Sequence, residues 1–60
     1  MENLREMMEM RVWALYYGVF SRDYDGRELN TRMDRVKKVI SEYTDRQLLS
    51  VYDTLKRENV

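Results

Sequence analysis

The stretch Met10–Phe20, MRVWALYYGVF, constrains this chain more than any other, because it is apolar or aromatic except at Arg11 and Gly18. Any fold must either cover it or offer it to something else. The residues before it, MENLREMMEM, are strong helix formers without a β-branched side chain. A helix is therefore predicted over about 2–20, although Val12, Trp13, Tyr16, Tyr17, Val19 and Phe20 would also suit a strand.

Successive residues are separated by about 100° around a helix. Leu4, Met8, Val12, Leu15 and Val19 then share one side, an ordinary core stripe. Met10, Trp13, Tyr17 and Phe20 share the opposite side, with Glu2, Glu6 and Glu9 nearer its start. One apolar stripe is enough for an amphipathic helix in a monomer, so the second predicts a second partner. Interface centres are rich in Trp, Tyr, Phe and Met, and an exposed patch of them normally marks an interaction site. Met10, Trp13, Tyr17 and Phe20 are accordingly the candidate protein interface, for a foreign protein or for a second copy. The competing expectation is that so small a chain needs every aromatic for its own core.

A chain of 60 residues makes one domain, 1–60. A domain of this size buries only about 60% of its unfolded surface and is marginally stable. With neither Cys nor His, it has no disulfide or zinc site to brace it, which leaves oligomerisation or partner binding, and a homodimer is as much expected as a monomer. Lack of Cys fits a reducing cytoplasm. The eleven basic and eleven acidic residues cancel, which argues against strong non-specific binding to nucleic acid. No membrane partner is expected. The apolar run falls well short of the roughly 20 residues of a spanning helix, and Glu2, Glu6 and Glu9 stand where a signal peptide would be basic.

After the first helix, Ser21-Arg22-Asp23-Tyr24-Asp25-Gly26 reads as a loop. Gly26 suits a positive φ there, and Asp25 with Glu28 approximates a capping box. A second helix is predicted over about 27–43, with Leu29, Met33, Val36, Ile40 and Tyr43 as an a/d-type seam. Glu28–Arg32 and Asp34–Lys38 are i,i+4 pairs in the favourable order. Thr44-Asp45-Arg46-Gln47 is a full capping box, and Tyr43 and Leu48 form a hydrophobic staple around it. The chain should turn sharply there into a third helix, about 45–58, with the stripe Leu48, Tyr52 and Leu55. Lys56 and Arg57 suit its C-terminal dipole. The expected fold is all-α, a small three-helix bundle whose second and third helices meet at a tight capped corner.

A basic edge on the second helix (Arg32, Arg35 and Lys38, with Lys37 further round and Arg27 near the start) is the candidate nucleic-acid contact, with Tyr24 or Tyr43 to stack on unpaired bases. The plainer reading is a solvated helix face. A helix-turn-helix finds little support, since the charges of the third helix cancel. Asp23-Tyr24-Asp25-Gly26 echoes an EF-hand loop, but Arg32 falls where the bidentate Glu belongs, so a turn and helix cap is favoured over a metal site. No cofactor, enzyme activity or small-molecule substrate is expected. The chain lacks a His for proton transfer and a Cys nucleophile, and three short helices rarely enclose a substrate pocket.

Asp45, Leu48, Leu49 and Tyr52 follow an acidic-x-x-Leu-Leu pattern completed by Tyr. Over barely ten residues this is similar to the opening of the small sporulation checkpoint inhibitors, helical hairpins that block a histidine kinase. In size and composition the chain also looks like small bacterial or phage-encoded regulators. The function expected is a non-enzymatic regulator or inhibitor that binds a protein through the aromatic side of the first helix. An RNA-binding protein using the basic edge and a structural homo-oligomer are the alternatives.

Overall fold

Asn3 starts the first helix. Its backbone is extended, and its Oδ1 accepts the Arg5 backbone N–H at 2.9 Å, which satisfies one of the donors that a helix start leaves open. In the computed structural model, which describes residues 3–58, three helices follow: α1 (Leu4–Phe20), α2 (Gly26–Glu42) and α3 (Asp45–Glu58). The helix start expected at residue 2 and the acidic Glu2 lie outside the described residues.

α1 closes on Phe20, whose carbonyl accepts the N–H groups of Asp23 and Tyr24 at 3.1 and 2.9 Å. The turn ends at Gly26, where φ is +54°, a left-handed conformation that costs a residue with a Cβ. Asp25 occupies the N-cap position of α2 but makes no capping hydrogen bond. The expected Asp25–Glu28 box therefore does not form. Glu28 instead pairs with Arg32, at 3.5 Å.

The box at Thr44 forms in full. The Thr44 N–H donates to Gln47 Oε1 at 2.9 Å, and the Gln47 N–H donates to Thr44 Oγ1 at 3.1 Å. Tyr43, extended at φ −69° and ψ 143°, breaks α2 just before it. Of the two residues of the expected staple, Leu48 is in the core and Tyr43 is partly buried against the same cluster.

α1 is the central element: it packs on both α2 and α3, whereas α2 and α3 barely touch beyond their junction. The core is Val12, Ile40, Leu48 and Leu55, with Met8, Leu15, Tyr16, Val19, Val36, Tyr43, Val51 and Tyr52 partly buried against it. Leu29 and Met33 are buried as well. All three seams read from helical periodicity thus point inward, with one exception. Leu4 is 80% exposed, so the core stripe of α1 begins at Met8.

Arg5 holds the junction together from outside the core. Its guanidinium donates to Asp45 Oδ1 at 2.7 Å, to the Ile40 carbonyl at 3.2 Å and to the Tyr43 carbonyl. Glu9 lies at 3.6 Å from its Nε. The last turn of α2 contains no basic residue, so Arg5 supplies from another helix the cation that this negative end favours. The hydrogen bond to Asp45 is the main reason the guanidinium pKa is raised. Partial burial opposes that rise and Glu9 adds to it.

Candidate protein-interaction surface

α1 carries apolar side chains around its whole circumference, a pattern that belongs to a fully buried helix. α2 and α3 cover only part of it. On the remainder Met10 is 70% exposed, Tyr17 44% and Trp13 37%. One turn separates Trp13 from Tyr17, and their rings stack with centroids 5.5 Å apart and planes 20° from parallel. The pair presents a flat, preorganised aromatic surface with little side-chain freedom left to lose on binding.

Met10 and Trp13 form one wall of a groove of about 770 Å³ between α1 and α2. Ala14, Met33 and Ile40 complete its apolar part. Among the described residues Glu6, Glu9 and Asp34 lie along it against a single cation, Lys37. The groove is therefore apolar at its base and acidic at its rim. Of the α2 residues in it the sequence marks only Lys37 for a site, and that as a nucleic-acid contact; the others become part of a site with Trp13 only when α2 folds back along α1.

Phe20 stands apart from the other three. It is half-buried, stacks on Tyr16 at 5.9 Å and tilts against Tyr24 at 6.3 Å. The Arg32 guanidinium caps the row, 3.8 Å above the Tyr24 ring. This ladder ties the end of α1, the turn and α2 together. Phe20 also lines a second groove, of about 680 Å³, with Tyr16, Arg27, Arg32, Arg35, Val36 and Val39 among its walls.

The basic residues divide between the two grooves. Arg27, Arg32 and Arg35 come together in the second, Lys37 sits in the first beside Trp13, and Lys38 lines neither. Asp23 and Asp25 are both exposed in the turn. Among the described residues no three metal-ligating side chains gather in one place, and no helix is long and apolar enough to cross a membrane. No protein-family model, curated protein or solved structure matches this chain.

Proposed function

We propose that this chain is a small non-enzymatic regulatory protein that binds another protein through the aromatic side of α1. The observation that carries this reading is the stacked, solvent-facing pair Trp13–Tyr17 beside Met10, at the lip of the acidic-rimmed groove. Trp, Tyr and Met are enriched at interfaces, and Trp and Tyr are among the side chains that dominate binding energy at their centres. A partner segment with an apolar ridge flanked by basic residues complements the groove, because Glu6, Glu9 and Asp34 outnumber Lys37 there. A helix laid along α1 would use the recurrent helix-in-groove mode.

The test is capture from a lysate by the wild-type chain and by Trp13→Glu, with solution mass and circular dichroism measured on both. The reading expects one protein captured by the wild type, lost in Trp13→Glu, and an unchanged helical spectrum. Wild-type mass corresponding to a dimer, restored to a monomer by the substitution, would mean that a second copy occupies the surface instead. Capture that disappears on nuclease treatment would replace the reading with the RNA-binding one.

A further inference from the structure

We propose that the second groove, on the other flank of α2, is a separate recognition site for an acidic peptide segment with apolar side chains. This inference is independent of the role given to Trp13. Three arginines, Arg27, Arg32 and Arg35, share the groove with one acid, Glu28. The rest of the chain carries the opposite balance, since the total is neutral. Positive charge is thus concentrated at this groove in a molecule that has none to spare.

Little within the protein uses that charge. Among the described residues Glu28 pairs with Arg32 alone, and at 3.5 Å. Among the described residues no carboxylate forms an ion pair with Arg27 or Arg35. Arg32 Nε is buried without a hydrogen-bond partner, a cost that folded proteins seldom leave unmet. Tyr24 meanwhile holds the Arg32 guanidinium in place through its ring face. A fixed guanidinium beside two unpaired ones is suited to carboxylates, which arginine can grip through two parallel N–H donors.

The base of the groove decides between classes of anionic partner. It is formed by Phe20, Tyr16, Val36 and Val39, and Val39 is 44% exposed. Recognition of unpaired RNA relies on open aromatic faces for stacking bases. Here Arg32 covers Tyr24, and Phe20 is held between Tyr16 and Tyr24. Val39 is the exposed apolar side chain of the base, and Phe20, Tyr16 and Val36 are partly buried beside it. The apolar surface between the arginines therefore complements Leu or Phe side chains spaced among Asp and Glu. From Arg27 to Val39 the helix rises roughly 18 Å, enough for a short peptide to engage the arginines and the apolar base together.

The probe is a short fluorescein-labelled peptide of Asp, Glu, Leu and Phe, followed by anisotropy, with oligoglutamate and oligouridylate as competitors. The proposal expects saturable binding that weakens as salt is raised. It expects roughly tenfold loss or more in Arg27→Gln/Arg35→Gln, the scale of losing a charged hydrogen bond. Both side chains are exposed, so circular dichroism should be unchanged. Val39→Asp should weaken binding as well, and Trp13→Glu should not. Undiminished binding in the double variant would overturn the proposal, as would absence of binding. Equal competition by oligoglutamate would remove the apolar component, and preferential displacement by oligouridylate would assign the groove to nucleic acid.

Discussion

Arg5, in the first turns of α1, donates to the carboxylate of Asp45, the first residue of α3, at 2.7 Å. The same guanidinium closes two carbonyls at the end of α2. One side chain thus joins all three helices where the chain turns. Replacing it with Met keeps the aliphatic stem and leaves those carbonyls without their cation. Arg5→Met should lower the urea midpoint more than Arg57→Met, which removes an exposed i,i+4 pair with Asp53 at 2.9 Å, a kind worth about 0.3–0.5 kcal/mol, and one of two cations in the last turn of α3. Equal effects would mean that the three-way contact adds nothing.

The reciprocal box between Thr44 and Gln47 begins α3. Thr44→Ala should destabilise the protein by about 1 kcal/mol, the usual cost of losing an N-cap side chain. In a domain this small that is a fall of roughly 4–8 °C in Tm. Thr44→Ser should recover most of it. A calorimetric scan of the two variants is sufficient.

The two glycines should respond in opposite directions to alanine. At Gly26, with φ +54°, a Cβ strains the backbone whatever space surrounds it, and Gly26→Ala should cost about 1–2 kcal/mol. Gly18 lies within α1, and a Cβ built there meets no atom within 4 Å. Gly18→Ala should stabilise the protein by roughly 0.5–1 kcal/mol, the gain from replacing glycine inside a helix. Denaturation midpoints moving in the same direction would contradict this account.

The Tyr16 phenol is pushed above its ordinary value, first by partial burial, then by the charge of Tyr43 and a hydrogen bond with it, and lastly by Glu58. The folded protein therefore keeps this proton at a pH where the unfolded chain has lost it. Its contribution to stability is complete below about pH 10, the unfolded value, and is lost as pH rises through the higher native value. Alkaline unfolding followed by circular dichroism should show that decline, and Tyr16→Phe should flatten it. Absorbance titration of the wild type should show a tyrosine ionising late.

The amino-acid sequence alone determined the helices, their inward seams, the turn at Gly26 and the corner at Thr44. Each of these depends on interactions within a few residues: periodicity around one axis, a reciprocal cap, a backbone angle open to glycine. It also marked α1 as apolar on too many sides for one partner, and Met10, Trp13 and Tyr17 do face solvent. The exposure of Leu4 was not legible, because the pattern gives the side of a helix and not how far along it the neighbouring helices reach.

The tertiary structure decided what stands beside what. Arg5 looked like one surface charge among eleven basic residues until the fold placed the end of α2 and the start of α3 within its reach. Phe20 shares a helix side with Trp13, yet packing directs it to the opposite flank of α2, among the arginines. Lys37 and Arg35 are close in sequence and belong to different grooves. A groove is bounded by two helices at once, so its residues and its net charge follow from the angle and register between them, which local sequence does not encode.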